Sequence, residues 1–189
     1  MGDIGPKLGF NTKDNGYLRF DHLVIPRKNM LMKYHVVSKD GKYSTQGDEK
    51  VSYATMLITR SGVNNIIANH FSKVALITTR YSILRKQFKN SKGEEISVLD
   101  YQTQQAKVLS RIGEVFALLF TAKKITEFTN FVFQEAGKGR FDRLNEGHIL
   151  ASASKAYITY EALNNSEVAR RSAGGHGFHL YSGLVTTQH

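Results

Sequence analysis

The stretch Val63-Asn-Asn-Ile-Ile-Ala-Asn-His-Phe-Ser-Lys-Val-Ala-Leu-Ile-Thr-Thr-Arg-Tyr-Ser-Ile-Leu84 holds neither proline nor glycine. Val63, Ile66, Ile67, Phe71, Val74, Tyr81 and Leu84 recur at the spacing of one face of an α-helix. The pattern predicts a long helix from about Lys50 to near Lys89, where Asn90-Ser91-Lys92-Gly93 supplies stop signals. A second stripe, Val108, Ile112, Val115, Leu119 and Ala122, predicts a helix from Asp100, its N-cap or first-turn acid, to about Ala136. Gly137-Lys138-Gly139 ends it. A third stripe, Ile149, Ala153, Ala156, Tyr160 and Leu163, carries a helix towards Ala173. Three long helices with short connections predict an antiparallel bundle. The only prolines are Pro6 and Pro26, so nothing beyond residue 26 carries the strongest helix breaker.

Ahead of the helices the pattern changes. Residues 1–48 hold both prolines and six glycines, among them Gly2, Gly5, Gly9, Gly16 and Gly41. Asp14-Asn15-Gly16 reads as a turn. Leu18 and Phe20, then Leu23-Val24-Ile25, read as a strand pair, and Val36 to Tyr43, with Lys39-Asp40-Gly41 at its tip, as a small hairpin. So few strands make no stable sheet alone. The expected architecture is mainly α: the end of a small β domain in 1–48, then a long-helix bundle in 49–189.

Composition bounds the chemistry. With 189 residues and 41% hydrophobic content the chain can bury a core. The absence of cysteine excludes disulfides, thiolate metal sites and cysteine nucleophiles. No apolar run approaches the ~20 residues of a membrane-spanning helix. The net charge of +10 calls for anionic partners: phosphate groups, nucleic acid or an acidic surface. The basic residues are spread along the chain without a base-stacking aromatic motif, so no nucleic acid is expected, although charge alone leaves a nucleic-acid-binding helical module open.

Three clusters carry candidate chemistry. Arg80-Tyr81-Ser82-Ile83-Leu84-Arg85 places an arginine beside the apolar stripe, where a guanidinium can grip a phosphate with help from Ser82; Arg85, five residues on, points in a different direction. A solvated helix face is the alternative. Asp100-Tyr101-Gln102-Thr103-Gln104-Gln105 offers three amides at a helix start, suited to a ribose or a polar ring edge, or merely covering the helix end. Ala173-Gly174-Gly175-His176-Gly177-Phe178 follows Arg170 and Arg171 and suits either a helix stop or a turn whose bare N–H groups approach a phosphate. His176 reads as a loop histidine bonded to backbone. His70, His148 and His176 lack metal-ligand spacing.

Taken in order, these clusters resemble the peroxisomal acyl-CoA oxidase family. The resemblance runs from Gly2-Asp3-Ile4-Gly5-Pro6-Lys7 through Asp14-Asn15-Gly16-Tyr17, Ile25-Pro26-Arg27-Lys28-Asn29-Met30-Leu31-Met32 and Arg80-Tyr81-Ser82. It continues at Leu99-Asp100-Tyr101-Gln102-Thr103-Gln104-Gln105, Gly174-Gly175-His176-Gly177 and Ser182-Gly183-Leu184. It implies a fragment: the end of the middle β domain in 1–48 and an incomplete first C-terminal helical domain in 49–189. It implies FAD as cofactor, shared across a homodimer, with fatty acyl-CoA as substrate and the peroxisome as location. The implied reaction converts acyl-CoA and oxygen to trans-2-enoyl-CoA and hydrogen peroxide.

By the same resemblance, Arg80 reaches the FAD pyrophosphate of the neighbouring subunit, Ser82 assists it, and Gln102 lies near the adenosine. Gly174 and Gly175 approach the same cofactor, and Arg171 stands where related dehydrogenases carry glutamine. The family's catalytic glutamate falls in a Phe-Glu-Gly-Glu-Asn-like segment after the Ser-Gly-Leu stretch. This chain ends at His189, so no catalytic residue is assigned and the chain alone is expected to be inactive. The alternative is a non-catalytic helical scaffold, or a dimer partner of a full-length oxidase.

Overall fold

The computed structural model describes residues 1–7, 9, 11–46 and 50–184, with side chains in the first helix from residue 54. The chain falls into two units, Met1–Ser52 and Tyr53–Gln188. The expected boundary at 48/49 falls on residues outside the described ones.

In the first unit, β1 (Gly2–Asp3) pairs antiparallel with β2 (Gly16–Tyr17); the expected turn at Asp14-Asn15-Gly16 does not form, since Gly16 lies in β2 without a positive φ and Asp14 and Asn15 have no regular structure. β3 (His35–Val37) pairs with β4 (Tyr43–Thr45), closed by a turn in which Gly41 takes φ +77°. The expected hairpin therefore forms. The expected strands at Leu18–Phe20 and Leu23–Ile25 do not: these residues have no regular structure and are exposed, Val24 to 91%. Short alternating apolar runs make strands only where a partner edge accepts them. A 3-10 turn, Arg27–Asn29, is tied to the hairpin because the Arg27 guanidinium donates to the Val37 carbonyl at 2.7 Å.

The second unit is built on α1 (Lys50–Leu84), α2 (Gln102–Gly137) and α3 (Leu144–Ser172). Two core clusters fix their directions. Ala54 and Leu57 of α1 meet Val132 and Ala136 of α2 and Leu144 and Ala151 of α3. Further along, Ala68, Phe71, Val74 and Ala75 meet Val115, Leu118 and Ala122, and Ile158, Ala162 and Ala169. Numbers rise along α1 and α3 while they fall along α2, so neighbours alternate in direction and the antiparallel bundle is present.

Three local expectations are corrected. α1 ends at Leu84, not near Lys89, because the chain leaves the helix into a second hairpin, β5 (Lys86–Lys89) with β6 (Glu95–Ser97). Asn90 and Gly93 are the turn of that hairpin: the Asn90 side-chain oxygen accepts from the Lys92 and Glu94 N–H groups, and Gly93 takes φ +82°. Asp100 is not the N-cap of α2. It ends a 3-10 turn, Val98–Asp100, that Ser97 caps, and Tyr101 occupies the N-cap position of α2. Finally, the third stripe faces outward: Ile149, Tyr160 and Leu163 are 64%, 66% and 51% exposed. α3 instead buries Gly147, Ala151, Ile158, Ala162, Ser166 and Ala169. Small residues let the helix backbones approach closely. A Cβ on Gly147 would already stand 3.3 Å from Leu57 and Val132.

Polar side chains register the bundle. Asn64, fully buried, donates to Ser154 at 2.8 Å, and Asn65 donates to Thr126 at 2.7 Å. Arg111 bridges its ion-pair partner Glu114 and the Asn165 side-chain oxygen. Burial raises the Glu114 carboxyl above its usual range, although Arg111 pulls it the other way.

Candidate functional site

The candidate clusters meet at one end of the bundle. The Gln104 amide, in the first turns of α2, donates to the Ser82 hydroxyl of α1 and to the Ser172 carbonyl at the end of α3, both at 2.9 Å. Ser82 is fully buried and donates its own proton to the Thr78 carbonyl at 2.8 Å. Ser97, from the second hairpin, donates to the carbonyls of Ser82 and Ile83. The ends of three helices and the hairpin are thus joined through side chains whose hydrogen bonds are spent inside the protein.

Beyond Ser172 the chain turns at Ala173–Gly174 and enters α4, a single helical turn from Gly175 to Phe178. Gly174 takes φ +57° and ψ −138°, a region open almost only to glycine. Among the described residues no other group stands within 4 Å of where a Cβ on Gly174 or Gly175 would lie, although the Gly174 N–H is spent on the Arg171 carbonyl at 3.1 Å. Gly177 is needed for packing: a Cβ there would stand 2.0 Å from the Arg170 carbonyl oxygen. His176 is not bonded to backbone. Its Nδ1 pairs with the Tyr181 hydroxyl at 2.8 Å, and its ring lies against Tyr81 of α1 at 5.4 Å. That ring contact brings the glycine turn to the α1 end.

The cations divide by whether they are engaged. Arg170 forms a fork to Glu167, Nε at 2.7 Å and Nη2 at 2.6 Å, and this pairing raises its pKa above the ordinary arginine value. Arg171, exposed, also binds Glu167 at 2.7 Å. Arg80 and Arg85 are exposed, and among the described residues neither guanidinium has a hydrogen-bond or ion-pair partner. Arg80 and Ser82 lie about 200° apart around the helix, so they do not converge on one group. Arg85 follows Tyr81 by one turn, its N–H closing the last α1 bond to the Tyr81 carbonyl at 2.8 Å. Its backbone therefore stands over the face that meets the glycine turn. Phe88, on the same hairpin, is 71% exposed and holds φ +61°, a strained value for an aromatic residue. Gln102 is exposed at the start of α2.

Sequence reasoning gives Phe88 no role and Arg85 only a direction different from that of Arg80. The signal was the basic-aromatic run Arg85-Lys86-Gln87-Phe88, absorbed into a helix that in fact stops before it. No group of three or more potential metal ligands occurs among the described residues. No helix among them is long and apolar enough to cross a membrane.

Arg80 and Arg85, without a partner among the described residues, thus stand at the end of the helix whose Tyr81 meets His176 of the glycine turn. The family model of the acyl-CoA oxidase C-α1 domain matches residues 53–189. The chain belongs to the acyl-CoA oxidase family. Among members of that family it is 38% identical over 187 residues to a probable acyl-coenzyme A oxidase of Caenorhabditis elegans, and 39% identical over 185 residues to mouse peroxisomal acyl-coenzyme A oxidase 1. It covers 28% of the length of each, against 98% and 97% of its own. Acyl-CoA oxidase 1 of Arabidopsis thaliana superposes over 99% of the chain and 29% of its own with TM-score 0.92 and 33% identity. Acyl-CoA oxidase-2 of Caenorhabditis elegans, solved with FAD, ascaroside-CoA and ATP, gives 0.90 and 32% over 99% of this chain and 28% of its own.

Proposed function

We propose that this chain is part of an FAD-dependent acyl-CoA oxidase and that the glycine-turn end of its bundle receives the FAD pyrophosphate. Residues 1–48 are then the end of the middle β domain and 49–189 the first C-terminal helical domain. The observation that carries the reading is the pair of guanidiniums, Arg80 and Arg85, that have no partner among the described residues and stand at the end of α1, whose Tyr81 ring packs on His176 next to Gly174–Gly175. A pyrophosphate needs charge and close backbone approach together, and this end supplies both.

Within that reading Arg85 is the principal phosphate ligand, since its backbone N–H bonds the carbonyl of Tyr81, whose ring meets the glycine turn's His176. Phe88 offers an exposed ring to a planar group, and Gln102 an amide to a sugar or base edge. Ser82 holds the helix ends in place instead of touching the cofactor. Arg171 contributes charge from its pair with Glu167. When bound, the flavin supplies the redox chemistry by which an acyl-CoA and oxygen become trans-2-enoyl-CoA and hydrogen peroxide. Fatty acyl-CoA as substrate, a homodimeric parent and a peroxisomal location complete the proposal, supported by names such as that of the mouse relative.

The test is FAD affinity in the intact protein, read by flavin fluorescence. Arg85→Ala is expected to weaken binding by roughly tenfold or more, as loss of a charge-assisted contact does. Arg80→Ala is expected to weaken it less. Full affinity in both variants overturns the reading. The 189 residues expressed alone are expected to release no peroxide from acyl-CoA, and turnover there overturns that expectation.

A further inference from the structure

Gln104 touches both halves of the proposed site's frame without lying in it. Its amide nitrogen spends both protons within the protein, one on the Ser82 hydroxyl and one on the Ser172 carbonyl. Ser82 belongs to the last turn of α1, which leads into Arg85. Ser172 is the last residue of α3, and the next two form the turn at Ala173–Gly174. The Ser172 carbonyl is one of the groups a helix end leaves without an internal partner, so an outside donor fixes where the turn begins. The Ser82 hydroxyl is likewise polarised. It donates to Thr78 and accepts from Gln104 in a buried setting, where such chains are stiff.

We propose that Gln104 is a positioning residue: it sets the distance between the Arg85 end of α1 and the open Gly174–Gly175 backbone, and so tunes phosphate binding without contacting the ligand. The proposal rests on the cofactor reading above. A pyrophosphate is gripped well only if cation and backbone N–H groups are held at matching separation before it arrives. Gln104 is suited to this because a single planar amide carries two donors at fixed angle, so one rotamer fixes both helix ends. Leucine keeps its bulk but neither donor. Glutamate keeps its shape but, ionised, puts one acceptor oxygen where the amide nitrogen gave two protons, facing both the Ser82 and the Ser172 oxygens.

The experiment compares the intact protein with Gln104→Leu, Gln104→Glu and Ser82→Ala, and with Arg85→Ala and Arg80→Ala as controls on the reading. FAD affinity and the melting temperature of the flavin-free protein are measured for each, affinity also across pH for Gln104→Glu. Gln104→Leu and Gln104→Glu are expected to weaken FAD roughly tenfold, two net hydrogen bonds being of that size. Ser82→Ala, which removes one of the two acceptors, is expected to cost about threefold. Acidification is expected to restore part of the affinity of Gln104→Glu, since a protonated carboxyl regains one donor. A merely structural role would lower the melting temperature and leave the affinity of the folded protein and its pH profile unchanged. That result overturns the proposal. If Arg85→Ala weakens FAD while all three frame variants bind normally, Gln104 loses its role and the cofactor reading stands. If both arginine variants bind normally, the reading fails and the proposal with it. Should Gln104→Leu not fold, the comparison of Gln104→Glu with Ser82→Ala decides alone.

Discussion

A Cβ added to Gly177 would stand 2.0 Å from the Arg170 carbonyl oxygen and 3.0 Å from its carbon, and neither atom belongs to a flexible side chain. The backbone of α3 or of α4 must then move. Gly177→Ala is expected to cost on the order of 3 kcal/mol of stability by chemical denaturation, in the range of severe backbone clashes. Gly175→Ala, which meets open space, is expected to change stability by less than about 0.5 kcal/mol. These neighbours look alike in the sequence, and only the fold separates them. The same holds for the two arginines. Arg80 borders the apolar stripe, and helical spacing points Arg85 in a different direction. The helix ends between them, so the spacing rule that separated them describes backbone that is not helical past Leu84. Ser82 was legible as a polar residue beside the cluster. That its hydroxyl would be buried and spent on Thr78 and Gln104 was not, because both partners lie off its own helical turn or across 22 residues of chain.

At the scale of elements, the helices were legible and the face of α3 was not. Periodicity follows bulk, and Ile149, Tyr160 and Leu163 carry it. The seam that meets α1 and α2 uses glycine, alanine and serine, which allow close approach and leave little hydropathic signal. Leu144 and Ile158 are the exceptions, and Ile158 is fully buried between helices. Ile158→Ala is therefore expected to cost about 3 kcal/mol, as core truncations do. Ile149→Ser, on the stripe that the pattern favoured, is expected to stay within about 0.5 kcal/mol. Thermal melts of the two variants decide between the faces. The second hairpin was hidden for a different reason: Asn90-Ser91-Lys92-Gly93 marks a turn equally well after a helix or between strands. The α2–α3 connection has an electrostatic staple, in which Lys138 and Arg140 both bind Glu135 and hold its carboxyl down to about 2. Its unfolded value is near 4.5, so the staple contributes fully above that pH and is lost as pH falls towards 2. The melting temperature is expected to fall across this window, and less steeply in Glu135→Gln.

At the scale of the whole molecule, charge and apolar surface pull association in opposite directions. Phe116 and Phe120 stack on the outside of α2, both more than half exposed. Next to them runs a groove of about 260 Å³ between α1 and α2, lined by Ala75, Leu76, Thr79, Ile112, Val115 and Phe116. Such a contiguous apolar face in water favours self-contact. The net charge of +10 opposes it by repulsion between copies. Added salt screens the repulsion, with a Debye length near 10 Å at 0.1 M falling to about 3 Å at 1 M, and leaves the apolar attraction in force. The 189 residues alone, at 21.2 kDa, are therefore expected to elute as a monomer at low salt and as larger species as salt rises. Phe116→Lys is expected to keep them monomeric throughout. Phosphate binding at Arg85 must show the opposite sign, since a bound anion is displaced by competing ions and weakens with salt. Measured on one preparation, the two trends separate the faces: an association that weakens with salt would assign it to the basic end and not to the groove between α1 and α2.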